Sequence, residues 1–357
     1  MRDRCEAVRK RLAEEHYEAF FSLSPPANQY LTGFMGTTSA VIITAREALF
    51  LCDFRYVEQA GAQVRDYEVH EVAGTLETRV GERLKALGVA SAAFDGTVLS
   101  VWQADMVGKA FDGALCSEPG LLSRLRRVKS PEEVTLIRAA AELTDEVVLE
   151  VADALQEGVT ERELAARIEF AFKERGAQGP SFDTIALFGA RSSLPHGMPC
   201  EKRLEKGDIV LIDCGCRCVG YCSDLTRTYA YGTMPDAWFE EIYSVTLTAQ
   251  EAALAALRPG VPCREADAIA RNLIGEAGYG AHFGHGLGHG VGIEVHESPR
   301  LNAESDVTLE EGMVITVEPG IYLPGRGGVR IEDLVVITGE GCDILSRTPK
   351  RLEVLNG

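Results

Sequence analysis

The sequence predicts a two-domain α/β protein. Residues 1–125 read as a small α/β domain, and residues 126–357 as an α+β domain containing an internal duplication. Three observations carry this. A chain of 357 residues is long enough for two domains with their own cores. A basic stretch, RLRRVKSPEE, separates alternating strand and helix patterns from a long helical one. Beyond it two segments recur. LEKGDIVLIDCG at 204–215 matches LEEGMVITVEPG at 309–320, 105 residues later, and Asp213 falls on Glu318. EGVTERELAARIEFAFKERGA at 157–177 matches PGVPCREADAIARNLIGEAG at 259–278. Each copy of that pair has an acidic first turn, helical apolar spacing and a glycine stop. A period of about 100 residues is too long for a solenoid. Two halves related by a pseudo-twofold are expected instead.

The elements follow in order. Residues 1–20 read as an amphipathic helix running into a strand, EAFFSL. SPPANQYLTGF is a turn and a short helix, and AVIITAREALFLCD is a hairpin about Arg46–Glu47. A helix over TLETRVGERLKALG, a strand over VASAAFD and a helix over 99–111 complete the first domain. Ser130 is the expected N-cap and Pro131 the first residue of a helix running to about 155. In the second domain IVLIDCGCRCVGYCSDLTRTYAYG reads as two strands joined around Val219–Tyr221. A mixed or antiparallel sheet with helices on one face is expected there.

Charge narrows the function. Lys plus Arg is 36, Asp plus Glu is 54, and the net charge is −18. That argues against nucleic-acid and anionic-membrane partners. No apolar run has the length of a membrane span, and the charged start MRDRCEAVRKRLAEEHYEAF lacks the apolar core of a signal peptide. Ten unevenly spaced cysteines in a chain this large read as reduced thiols in a cytoplasm. Cys214, Cys216 and Cys218 are expected on one strand face, opposite Asp213. With Cys222 they read as core residues, because structural zinc sites favour CxxC spacing.

The duplicated acids mark a candidate site. Asp213, Asp224, His289, Glu318 and Glu332 all lie on strand patterns or strand ends. A hairpin can set Asp213 across from Asp224. Four carboxylates packed together would repel one another and lose hydration unless cations neutralise them, and two divalent ions balance the set. Four carboxylates with one imidazole suit Mn, Co, Fe or Zn better than Mg or Ca. Three further histidines lie near the repeated acids: His285 and His296 in GHGLGHGVGIEVHESPR, and His196 in LPHGMP. The glycines between them do not make a dinucleotide loop, for which the preceding buried strand is missing. They read as close backbone approaches to a crowded centre.

These motifs resemble a known family. DCGCRCVGYCSDLTRT, GHGLGHGVGIEVHESP, ITVEPGIY and GGVRIEDLVVI are similar to the metal and substrate motifs of the pita-bread metallopeptidases, prolidase (Xaa-Pro dipeptidase) and aminopeptidase P. YLTGF and LFLCDFRYVEQA resemble the creatinase-type N-terminal domain. The resemblance implies dinuclear, metal-dependent hydrolysis of Xaa-Pro bonds at the N-terminus of dipeptides or short peptides, by a cytoplasmic homodimer. It implies two divalent ions, Mn(2+) or Co(2+) first and Fe or Zn next. Asp213 would hold one, His289 and Glu318 the other, with Asp224 and Glu332 bridging. His196, His285 and His296 would surround the substrate, Tyr322 and Arg330 would support the acids and the substrate, and Glu318 would carry the proton. Arg300, four residues past His296, would clamp the carboxylate of the proline. Two alternatives stay open: a methionine-type aminopeptidase, and a non-catalytic peptide-binding relative.

Overall fold

The computed structural model describes residues 2–355; positions 1, 356 and 357 of the expected domains lie outside the described residues. The chain divides into two compact units, Met1–Arg126 and Arg127–Gly357.

The first unit is built on a six-stranded sheet. Its centre is Ala19–Ser22, antiparallel to Ala40–Thr44 and parallel to Ser91–Phe94. The hairpin between Ala40–Thr44 and Ala48–Cys52 forms as the alternation predicts. Sequence reading missed four elements here: the helices Val57–Gln63 and Leu121–Arg126, and the strands Glu68–Glu71 and Ala114–Ser117. Both strands are sheet edges. Their sequences, EVHE and ALCS, are largely solvated, so neither carries the apolar run that marks a central strand.

In the second unit one order of elements occurs twice. Helices Pro131–Asp153 and Glu161–Glu174 precede strands Ile185–Phe188, Ile209–Cys214 and Leu225–Tyr231. Helices Ala237–Ala256 and Cys263–Glu276 precede strands Gly288–Gly290, Val314–Val317 and Asp333–Ile337. In each triplet the middle strand in sequence is also the middle strand of the sheet, antiparallel to both neighbours. Each half has its own core. Ile168, Phe172, Phe188 and Ile212 are buried in one, and Phe239, Ile274, Ile315 and Val335 in the other.

The helices start where the caps say. Ser130 and Thr160 each accept from the backbone three residues on and receive a glutamate, Glu133 or Glu163, in return. The second copy has Pro262 in place of Thr160 and no side-chain cap. The sheet is not single, as expected, but split into several. Strand Ile209–Cys214 breaks at Gly215, and Cys216–Cys218 pairs instead with Gly179–Pro180 and Tyr221–Cys222. A side chain at Gly215 would collide with the Ser223 carbonyl, so the chain turns there without one. The cysteines therefore do not share one strand. Cys214 and Cys216 are core residues, whereas Cys222 is buried with its Sγ toward the Ile293 carbonyl at 3.4 Å. Among the described residues no helix is long and apolar enough to cross a membrane.

Candidate metal centre

The site is assembled from matching ends of the two strand triplets. Asp213 lies on Ile209–Cys214, opposite Thr226 and not opposite Asp224. Asp224 precedes the partner strand by one residue, so it meets Asp213 diagonally on the same face. In the other half Val317 pairs with Asp333. Glu318 leaves and Glu332 enters that pair at the same end. His289 sits on Gly288–Gly290, opposite Arg300. The backbone there passes very close to its neighbours, since a side chain on Gly288 would strike the Thr316 carbonyl.

Carboxylate oxygens of Asp213, Asp224 and Glu332 all lie within 4.8 Å of one another. His289 Nε2 is 3.3 Å from Glu318 Oε1 and 3.6 Å from Asp224 Oδ2. His289 Nδ1 lies 3.1 Å from the Gly290 carbonyl, which can only accept, so this nitrogen carries the proton and Nε2 faces the acids. Two threonines that sequence reading missed hold the set. Thr226 Oγ1 donates to Glu332 Oε2 at 2.6 Å. Thr316 Oγ1 donates to Glu318 Oε1 at 3.2 Å and accepts the His289 N–H at 3.0 Å. Each stands two residues from an acid on an extended segment, and that same-face spacing was the available signal.

Behind the acids lies a fixed polar layer. Arg330 donates to Asp213 Oδ2 at 2.5 Å, to Thr226 Oγ1 at 3.0 Å and to the Tyr322 hydroxyl at 2.9 Å. Tyr322 in turn lies 2.9 Å from His285 Nε2, and His285 Nδ1 lies 2.8 Å from the Gly286 carbonyl. Nδ1 therefore donates, and Nε2 accepts from Tyr322. Both ring nitrogens of His285 are committed. Tyr322 is buried, with its hydroxyl between Arg330 and His285, and is not among the residues lining the cavity. On the reverse face Arg227 pairs with Asp333 at 2.8 Å and donates to the Glu332 carbonyl, fixing the backbone that carries Glu332.

The electrostatics call for positive charge. Burial raises the carboxyls of Asp213, Asp224 and Glu332, more than Arg330 lowers them, and neighbouring carboxylates add to the rise. Burial also acts to raise Glu318, but the His289 hydrogen bond and the charges of His289, His285 and Arg330 bring it down to about 2. Asp213 Oδ1 and Glu332 Oε1 are buried without a hydrogen-bond partner. Unpaired buried oxygens in a crowd of carboxylates are the donor set a divalent cation takes, so these residues fit the ions that the fold implies.

The acids form the floor of a cavity of about 920 Å³, which His196, His285, His296, Arg300 and Arg330 also line. The His296 ring stacks edge-on to that of His289 at 4.4 Å. Partial burial, His289 and Arg300 push His296 down to about 4, so it is neutral at pH 7. The segment bearing His296 and Arg300 is tied down by Glu297, whose carboxylate lies 3.3 Å from Lys129 Nζ, with both side chains at or below 5% exposure. Removing one member of a buried ion pair costs about 3–5 kcal/mol. Lys129→Met should lower the denaturant midpoint accordingly, with most of the loss recovered in Lys129→Met/Glu297→Leu. An unchanged midpoint in the single variant would show the pair to be dispensable.

The model of metallopeptidase family M24 matches residues 135–339, more than half of the chain. The chain belongs to metallopeptidase family M24. The creatinase/prolidase N-terminal domain matches residues 4–128. The family membership makes the protein a metallopeptidase of two-part architecture, with the carboxylate cluster inside the M24 match. A Xaa-Pro dipeptidase of Pyrococcus furiosus is 38% identical, covering 99% of this chain and 100% of its own. The structure of a Xaa-Pro dipeptidase from Bacillus anthracis superposes with a TM-score of 0.96 at 39% identity, covering 99% of both chains. An X-Pro aminopeptidase from Thermotoga maritima superposes with a TM-score of 0.90 at 36% identity, covering 98% of this chain and 99% of its own.

Proposed function

We propose that this M24 member hydrolyses the Xaa-Pro bond at the amino end of dipeptides and short peptides, and that residues 126–357 form its catalytic domain. The observation that carries the reading is the cluster of Asp213, Asp224 and Glu332, closed by Glu318 and His289 on the cavity floor. Asp213 would hold one ion and His289 and Glu318 the other, with Asp224 and Glu332 available to both. Mn(2+) or Co(2+) suits this set best, with Fe or Zn next. When bound, two such ions lower the pKa of a shared water and polarise a carbonyl.

The remaining steps belong to the chain. Glu318, ionised at neutral pH, accepts a proton at a carboxylate oxygen and returns it to the departing proline nitrogen. His296 donates an N–H to the carbonyl oxygen as that oxygen gains charge, and His196 faces the same cavity. His285 positions Tyr322, which with Arg330 steadies Asp213. Proline lacks an N–H and has a fixed φ, so recognition rests on its ring and its carboxylate. Arg300 stands opposite His289 and has no ion-pair partner among the described residues, leaving its guanidinium for that carboxylate. The likeness to the Bacillus anthracis dipeptidase supports this choice.

The first test is a peptide panel. With added Mn or Co the protein should cleave Xaa-Pro peptides and leave Met-Ala intact; the reverse order would favour a methionine-type aminopeptidase. Arg300→Ala should raise KM for Xaa-Pro dipeptides by about tenfold, the scale of one charge-assisted hydrogen bond. Xaa-Pro-Yaa tripeptides, whose carboxylate lies further out, should lose less. Equal losses on both would overturn the dipeptidase choice and leave the Xaa-Pro chemistry standing. The reading includes a homodimer, which sedimentation tests, and a cytoplasmic setting, which the ten free cysteines support.

A further inference from the structure

We propose that the pocket for the first substrate residue is acidic, and that the enzyme selects Xaa-Pro dipeptides in which Xaa is lysine or arginine. This rests on the Xaa-Pro reading above and adds the chemistry of Xaa to it.

The strand registers set two sides of the metal centre. Arg300 is opposite His289 on one side, and Ile185 is opposite Asp213 on the other. A dipeptide with its carboxylate at Arg300 directs its first residue toward the Asp213 side. The wall there consists of Phe182, Asp183 and Thr184, just before strand Ile185–Phe188, with Ala165, Ala166 and Glu169 from helix Glu161–Glu174.

Three features of that wall favour a cationic side chain. Asp183 is exposed and Glu169 half-buried, and neither has an ion-pair partner among the described residues. The arginine on this wall, Arg162, pairs with Glu201 at 2.5 Å, so its charge is shared with an acid outside the pocket. Thr184 gives an independent sign of a ligand. It is 2% exposed, lines the cavity, and its hydroxyl has no hydrogen-bond partner. A buried hydroxyl left unpaired is costly, and a bound donor or acceptor satisfies it. The two alanines leave room for a long stem, and the Phe182 ring offers an apolar surface for it. A cavity of about 920 Å³ is at the upper end of small-molecule sites, so lysine or arginine fits.

The test compares kcat/KM for Lys-Pro, norleucine-Pro and Glu-Pro. Two partly screened carboxylates should favour Lys-Pro over norleucine-Pro by about tenfold, with Glu-Pro last and the ratio shrinking as salt rises. Asp183→Asn/Glu169→Gln should bring the Lys-to-norleucine ratio to about one, and Asp183→Lys should move preference toward Glu-Pro. Cleavage of all three dipeptides without regard to charge overturns the acidic pocket alone. So does a wild-type preference that survives in the double variant. If none of the three is cleaved, the Xaa-Pro reading falls and this inference with it.

Discussion

Glu332→Ala is expected to lose bound metal and, with it, hydrolysis. Glu332 is 1% exposed, and its carboxylate is held at one oxygen only, by Thr226. The other oxygen is buried without a partner, and the carboxylate lies beside those of Asp213 and Asp224. Its backbone is pinned from both sides, by the N–H bond to the Thr226 carbonyl at 3.2 Å and by Arg227 on its own carbonyl. The free oxygen is therefore placed by rigid strands and has no structural duty. Loss of a group that only orients a ligand costs about 10–100-fold in metal affinity, and loss of a shared ligand should exceed that. The metal-free protein gives a control. Removing a buried carboxyl that its neighbours repel should leave the metal-free melting temperature unchanged or higher, while the stabilisation that added Mn gives the wild type disappears. Two equivalents of bound metal with normal turnover would sink the two-ion reading.

Glu318→Gln should lower kcat by about 10²–10⁴-fold, the range expected when a positioned base is removed. Glutamine keeps the shape, and its carbonyl can still accept from Thr316 Oγ1. It cannot take a proton. In the wild type, burial works against ionisation, but His289, His285 and Arg330 outweigh it and hold Glu318 at about 2. The group is thus a carboxylate throughout the neutral range. Because glutamine keeps the shape of this cavity-lining side chain, KM should move by only a few-fold, while one of two metal equivalents weakens. A wild-type kcat in this variant would assign the proton to another group, with His196 and His296 next in line on the cavity wall.

Several features were legible in the sequence because they are local. The capped helix start at Ser130, the hairpin at Arg46–Glu47 and the acid–x–Gly ends of the two repeated strands each depend on a few adjacent residues. The duplication added long-range information, since a matched order of elements implies matched positions for Asp213 and Glu318. The edge strands Glu68–Glu71 and Ala114–Ser117 were not legible. Their stability comes from a neighbouring strand far along the chain and not from their own composition.

The sequence by itself determined the inventory: four acids and a histidine on strand ends, three more histidines nearby, and an arginine four residues past His296. Tertiary structure decided the pairing. It set Thr226 and not Asp224 opposite Asp213, broke the strand at Gly215, and sent Tyr322 behind the site with both sides of its hydroxyl taken. It also brought Thr226 to Glu332, 106 positions away, and Lys129 to Glu297, 168 away. The reason is physical. Residue type and strand periodicity fix which face a side chain occupies, but a hydrogen bond or ion pair forms only within about 3–4 Å. Across segments a hundred residues apart, that distance is set by how the two cores pack and by nothing local to either segment.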